Sequence, residues 1–355
     1  MTNEDLEPSD DDLEGIALDR NNFIFFSSEI KKINLDLEAK CRDGNWTAEK
    51  LSLLYSLPEW MIHQFIEQYG FEQAAAIGES LNHTAPLTLR VNTLKASVDE
   101  CRAQLEKEGV ATKKTKYSPF GLCVQKRLNI FQLQSFRSGL FEVQDEGSQI
   151  LPLLLDPKPR SKVVDACSGG GGKSLELAAL MKNRGVIFAL DVNAHRLDDL
   201  RKRIRRSGSD TIRVQLVKEH NVPDSLVGVA DNVLVDAPCS GLGTLRRNPG
   251  MKWTTTPDAI SELSSKQYEI LSEYSQCVKQ NGRLVYATCT LTADENERVV
   301  EKFLTSHSDF ELMRPSHILE RYGLQGLEIG HYLRLFPHVH GTDGFFAAVM
   351  KRKVI

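Results

Sequence analysis

The sequence predicts an α/β protein, in which a small α+β domain precedes a mostly parallel, doubly wound sheet with an antiparallel C-terminal edge. Two observations carry this. After "LLLDPKPR" (residues 153–160), short continuous apolar runs alternate with helix-length amphipathic segments, the rhythm of βαβ units in a parallel sheet. Before it, the strand candidates are short and lie around a helical lead-in and one capped helix, which marks a separate, smaller unit.

The elements follow in order. Residues 1–40 hold eleven acidic and four basic residues, and such charge with few large apolar groups predicts an acidic, partly disordered segment. From Thr47, "TAEKLSLLYSLPEWMIHQFIEQYG" spaces its apolar residues three to four apart and predicts helix ending at Gly70. "LTLRVNT" reads as a strand, and "SVDECRAQLEKEG" as a helix with Ser97 as N-cap and Gly109 as stop. "GLCVQK" and "GLFEVQD" add two strands, so the small domain with its lead-in spans residues 41–145. Residues 146–355 form the larger domain. Its strands are "KVVDACS", "GVIFALD", "DNVLVDAP" and "GRLVYATC", and its helices "SLELAALMKN", "NAHRLDDLRKRIRRSG", "ISELSSKQYEILSEYSQCVKQNG" and "DENERVVEKFL". The tail "HYLRLFPHVHGTDGFFAAVMKRK" reads as two strands joined by a glycine-containing loop, the antiparallel edge.

Composition narrows the function. No apolar run approaches the ~20 residues of a membrane span, and "MTNEDLEPSDDDLEG" has neither a basic leader nor an apolar core. Seven cysteines are scattered without a CxxC, which disfavours a disulfide framework or zinc ribbon and fits a reducing cytoplasm. No metal is expected. The net charge of −4 divides into −7 over residues 1–40 and +3 over the rest, a mildly basic body compatible with nucleic acid.

The chemistry starts at "DACSGGGGKS" (residues 165–174). A phosphate-binding Walker loop needs a glycine five residues before the Gly-Lys-Ser, and that position is Cys167. The dinucleotide fingerprint lacks its third glycine. What remains is a glycine turn between a first strand and its helix, with Asp191 ending the second strand at the distance of a ribose-binding carboxylate. A nucleoside cofactor such as S-adenosylmethionine suits this pair, whereas a structural reading makes the turn a plain strand–helix junction and Asp191 a helix cap.

"VDAPCSGLGT" and "YATCTL" each place a cysteine, Cys239 and Cys289, just after a buried strand, on the side where such sheets bind ligands. A thiolate there can add to C6 of a pyrimidine and make C5 nucleophilic towards an electrophilic methyl group. A base must then remove the C5 proton so that the sulfur leaves. Two cysteines, one attacking and one assisting release, fit those events. Asp236 can hold the N3 and amine edge of the pyrimidine, its protonated form hydrogen-bonding to the adduct. Taken singly, each cysteine reads equally as a small buried hydrophobe.

On these residues the chain resembles the Sun-type (NOP/Sun) RNA (cytosine-5) methyltransferases, S-adenosylmethionine-dependent enzymes with a Rossmann-like class I methyltransferase domain. The family's first motif is commonly Asp-x-Cys-Ala-Ala-Pro-Gly-Gly-Lys-Thr, and "DACSGGGGKS" aligns with it without a gap. Asp-Ala-Pro-Cys-Ser-Gly-x-Gly stands intact at residues 236–243, and Thr288-Cys289 matches the family's Thr-Cys pair. "LRVNTLK", "FEVQDEGSQ" and "TDGFFAA" are also similar, and the resemblance runs from about residue 47 to the end.

The resemblance implies that Cys289 is the nucleophile and that Cys239 promotes product release, the reverse of DNA cytosine-5 methyltransferases. It maps Lys173 and Asp236 onto positions that support catalysis. Cys167, Ser168, Gly169, Gly170, Gly171, Gly172, Lys173, Asp191 and Asp236 map onto cofactor contacts. Arg196 falls where the family often has a basic residue near the cofactor. Glu219 falls on the adenine-binding aspartate, because "LVKEHN" lacks the usual Gly-Asp-Ala. Gly170 replaces the usual proline, and Ser168 and Gly169 replace two alanines, which leaves the loop more flexible.

For RNA, "GTLRRNPGMKW" brings Arg246, Arg247, Lys252 and Trp253 close to Cys239, where they are read as binding phosphates and stacking a base. Arg90, Lys95, Lys113, Lys114 and Lys116 offer a second contact surface. The arginines of "RLDDLRKRIRRSG" read as the solvated face of a sheet-covering helix. Of Phe345 and Phe346, one is expected in the core and the other beside the pocket. The expected function is methyl transfer from S-adenosylmethionine to C5 of a cytosine in RNA through a Cys289–C6 adduct. Ribosomal RNA is the first expected substrate and transfer RNA the second, and the protein is expected to be cytoplasmic and monomeric. The rivals are a P-loop NTPase, a non-catalytic RNA-binding or ribosome-assembly protein that retains the fold, and a DNA cytosine-5 methyltransferase, which Thr288-Cys289 disfavours.

Overall fold

The computed structural model describes residues 46–354 except 127, 220, 325, 326 and 328; the acidic segment 1–40 lies outside these. Its contacts divide the chain into one compact unit ending at Gly78 and another from Glu79 onward. In the first, the helical stretch expected to run unbroken to Gly70 is two helices, α1 (Ala48–Tyr55) and α2 (Glu59–Tyr69). Ser56 takes a left-handed conformation, φ 51°, and Pro58 follows it, so the pattern of apolar spacing continues across a break in the helix. Gly70, at φ 81°, stops α2, and α3 (Phe71–Leu81) starts at the next residue.

In the second unit, β1 (Thr88–Val91), β2 (Thr112–Lys114), β3 (Gly121–Val124) and β4 (Phe141–Val143) form an antiparallel sheet of order β2-β3-β1-β4. The helix α4 (Val98–Lys107) starts at the expected Ser97, with a full capping box to Glu100. It packs Cys101 and Leu105 into the core this sheet shares with Leu89, Leu122 and Phe141. The sequence pattern misses β2 because only Thr112 of its three residues is buried.

The large sheet holds β5 (Lys162–Ala166), β6 (Val186–Asp191), β7 (Ile212–Leu216), β8 (Ala230–Asp236) and β9 (Val278–Thr288), all parallel. Added to them are β10 (Phe310–Met313), β11 (Leu333–Leu335) and β12 (Phe345–Arg352), all antiparallel. The order is β10-β12-β9-β8-β5-β6-β7, with β11 on β12. The terminal strand therefore lies inside the sheet, and β10 takes the edge. The helices α5 (Gly172–Leu180) and α6 (Ala194–Ser207) bury Leu175, Leu177, Leu197 and Leu200 on one face. On the other, α7 (Pro257–Ser275) and α8 (Glu297–Ser306) bury Leu271, Tyr274, Val300 and Phe303. Phe345 joins the first core layer and Phe346 the second, both buried, because successive residues of a strand face opposite sides. Neither borders the pocket. The chain leaves β5 in one direction towards β6 and β7, and in the other towards β8 and β9. The crevice between β5 and β8 is thus the switch point at which doubly wound sheets bind ligands.

Candidate active site

The glycine loop leaves β5 at that switch point. Cys167, Gly169 and Gly171 all take positive φ, at 58°, 54° and 77°. Gly171 admits no other residue, since a Cβ there would lie 2.0 Å from Leu200 of α6. The loop is held from three sides. Ser168 N–H donates to Leu190 O at 2.9 Å, and Gly169 N–H donates to Asp191 Oδ2 at 2.7 Å. Arg203 of α6 donates to Gly170 O at 2.6 Å, and Arg90 of β1 donates to Gly172 O at 2.5 Å. Both guanidiniums are fixed in turn, Arg203 by Glu142 at 3.0 Å and Arg90 by Glu176 at 3.2 Å.

A cavity of about 550 Å³ opens over this loop, lined by every residue singled out above for catalysis or cofactor binding except Glu219. Cys239 follows β8 and Cys289 follows β9, and these parallel neighbours bring the two sulfurs to 3.3 Å. Lys173, at the start of α5, pairs its ammonium with Asp236 Oδ2 at 2.6 Å. Burial alone would lower the Lys173 pKa, but Asp236 outweighs it and holds the ammonium charged. The Cys239 thiol is pushed well above its usual range by its bond to Cys289 and by burial. Burial also raises Cys167, with Asp191 adding to the effect, so that this cysteine stays a thiol.

Glu219 lies elsewhere. It takes a left-handed φ of 51° after β7 and lines an adjoining cavity with Asn221 and the acidic face of α7. Lys266 lines both cavities. The cap of α6 comes from Asn193 and not from Asp191: the Asn193 side chain accepts from Arg196 N–H at 3.2 Å.

Several basic residues are also placed differently from expectation. Arg246 is a buried ion pair with Asp343 at 3.0 Å, and Arg247 bridges Asp343 and Asp145, so they lock three loops together. Arg90 is 3% exposed, and serves the glycine loop. Arg203 and Arg206, read as solvated, share Glu142. Lys113, Lys114 and Lys116 are exposed, as is Trp253, which carries Lys252 5.4 Å from its ring centroid. Sequence reasoning missed Gln144, Arg203 and Lys266 in the cavity wall; only Gln144 carried a signal, as part of "FEVQDEGSQ".

The cavity fits S-adenosylmethionine. Asp165 Oδ1 and Ser168 Oγ line it, both buried without a hydrogen-bond partner, an arrangement that calls for a ligand with donors. Asp191 accepts one backbone N–H on each oxygen and keeps lone pairs for two ribose hydroxyls. Asp165, Ser168, the glycine loop and Asp191 are the groups that would hold the cofactor.

A doubly wound sheet whose switch point carries this loop, the strand-end Asp191 and two cysteines defines a class I methyltransferase. The family model for 16S rRNA methyltransferase RsmB/F matches residues 152–351, and the RsmF/B-like ferredoxin-like domain matches residues 57–131. The chain belongs to the RsmB/F family of methyltransferases. It is 35% identical over 308 residues to a probable ribosomal RNA small subunit methyltransferase B of Bacillus subtilis, covering 86% of this chain and 68% of that protein. A 25S rRNA (cytosine-C(5))-methyltransferase, nop2, of Schizosaccharomyces pombe is 29% identical, with 91% of this chain and 57% of that one covered. Among solved structures, a methyltransferase homolog protein from Pyrococcus horikoshii superposes with a TM-score of 0.73 at 31% identity, covering 85% of this chain and 97% of that one. Among the described residues, no helix is long and apolar enough to cross a membrane.

Proposed function

We propose that this protein methylates C5 of a cytosine in RNA through a covalent adduct between Cys289 and C6, with ribosomal RNA as substrate. The 3.3 Å approach of the two cysteine sulfurs beside the Lys173–Asp236 ion pair carries this reading. S-adenosylmethionine supplies an electrophilic methyl group on a sulfonium. The chain's residues do the rest. Cys239, pushed well above its usual range by its bond to Cys289 and by burial, keeps its proton while the Cys289 sulfur 3.3 Å away attacks C6. Asp236 and Lys173 lie where they can hold the N3 edge of the base and deliver a proton as C6 is attacked. Bond formation at C6 removes the Cys289 charge and hydrogen bond that hold the Cys239 proton. Cys239 then gives up its proton to water in the open crevice, and its thiolate takes the C5 proton. The C5–H electrons re-form the C5–C6 double bond, the Cys289–C6 bond breaks, and N3 returns its proton to the Lys173–Asp236 pair.

The cytosine must be unstacked to enter this crevice. Trp253, exposed beyond the Cys239 loop, and the half-buried Lys252 beside it offer a stacking platform and a phosphate contact for the flanking strand. Cys239→Ala is expected to accumulate an RNA–protein adduct stable on a denaturing gel. Cys289→Ala is expected to form no adduct and to be inactive; methylation by this variant would sink the assignment. Bisulfite mapping of cellular RNA with and without the gene identifies the target, and a transfer RNA site would overturn the choice of ribosomal RNA.

A further inference from the structure

Glu295 belongs to none of the motifs that point to the chemistry, yet it lies beneath both cysteine loops. It follows the Cys289 loop, and its side chain is fully buried (0% exposed), with no ion pair among the described residues. Polar groups capable of donating surround it instead. Oε1 accepts Ser240 N–H at 2.7 Å and Gln267 Nε2 at 3.0 Å. Oε2 faces the hydroxyls of Ser240 at 2.6 Å, Thr292 at 2.8 Å and Thr290 at 3.0 Å. Ser240 directly follows Cys239, and Thr290 directly follows Cys289. The Ser240 and Thr290 hydroxyls also touch each other at 2.8 Å, so one carboxylate ties the two reactive loops together. Gln267 extends the frame, donating to Pro238 O at 2.9 Å on the other side of Cys239.

We infer that Glu295 is the positioning residue that sets the spacing of the two cysteines, through its bonds to Ser240 and Thr290. An aspartate is too short to reach both loops. A glutamine has the right length, but its N–H₂ edge forces the three hydroxyls to turn from donating to accepting and removes the charge that strengthens all these bonds, so the two loops are held more loosely. Buried carboxylates without a cation persist only where fixed donors replace water, and here all of those donors come from the segments that need alignment or from α7 beneath them. The role of this spacing in catalysis rests on the covalent mechanism proposed above, but the spacing can be measured without it.

The test uses Glu295→Gln in the full chain. In the ligand-free protein, diamide should oxidise the Cys239 and Cys289 thiols to a disulfide, the two hydrogens passing to diamide to give its hydrazine. The substitution is expected to slow this at least tenfold, although loss of a negative charge would by itself speed thiol oxidation. Equal or faster disulfide formation overturns the inference. In the second arm, Glu295→Gln is added to Cys239→Ala, and adduct formation is followed on total RNA from cells lacking the gene. The rate is expected to fall about a hundredfold, the scale of an ångström misplacement, with S-adenosylmethionine affinity and melting temperature within twofold and a few degrees of the parent. An unchanged adduct rate, or cofactor affinity that falls in parallel with it, also overturns the inference. If Cys239→Ala alone traps nothing, the covalent reading fails, and the diamide arm still decides the role of Glu295.

Discussion

At the scale of single residues, the site depends on groups held in states they would not take in water. Asp165 is fully buried and bonded to Ser174 at 2.5 Å, and burial pushes its carboxyl up from 3.8 to about 7. A carboxyl raised in the folded state binds its proton more tightly there than in the unfolded chain. Its contribution is thus complete below about pH 4 and is lost as pH rises towards 7. Against Asp165→Asn, the wild type is expected to lose up to about 4 kcal/mol of unfolding free energy between those limits. Urea denaturation of both proteins at pH 4.5, 6 and 7.5 measures this, and parallel curves would refute it. That Cys239, Cys289 and Asp191 line one cavity was legible because the end of a parallel strand is a recognisable address. Arg203 and Glu295 were not, because their partners Gly170, Ser240 and Thr290 lie 33 to 55 residues away or across a turn.

At the scale of elements, the glycine loop is rigid through its clasp rather than its own sequence. Four consecutive glycines leave much backbone freedom to be lost, and Arg203 of α6 offsets it by holding Gly170 O. A Cβ on Gly170 would lie 3.1 Å from that guanidinium, so the bare glycine and the arginine are matched. Arg203→Ala is expected to weaken S-adenosylmethionine binding about tenfold by calorimetry, the worth of one charge-assisted hydrogen bond. Gly170→Ala in the Arg203→Ala background is expected to recover part of that loss by stiffening the loop where the side chain now has room. A further loss in the double variant would show that the clasp does not order the loop. The element order of the large sheet was legible from alternating apolar runs. The break at Ser56, the short β2 and the edge strand β10 were not, because each is set by local backbone geometry or by pairing rather than by hydrophobic period.

At the scale of the whole second unit, the small sheet braces the catalytic one. Surface charge alone would make Arg90 part of an RNA-contacting face. Its guanidinium instead runs from β1 to Glu176 and Gly172, while Asn92 donates to Ser207 O at 2.9 Å and Glu142 receives Arg203 and Arg206. Sequence could not show this, since an arginine in a short strand carries no sign of what faces it. Burial lowers the Arg90 pKa and raises that of Glu176 to about 7, so each ion is costly without the other. Arg90→Met is therefore expected to cost about 3–5 kcal/mol, the penalty for stranding one partner of a buried pair. Arg90→Met combined with Glu176→Gln should recover a large share, because no charge is then left unpaired, although Gly172 O still lacks its donor. Urea denaturation of the two single variants and the double variant gives the coupling energy directly. Additive losses would mean that the ion pair does not join the two sheets. A coupling accompanied by weaker S-adenosylmethionine binding in Arg90→Met would show that the small sheet acts on the chemistry through the glycine loop.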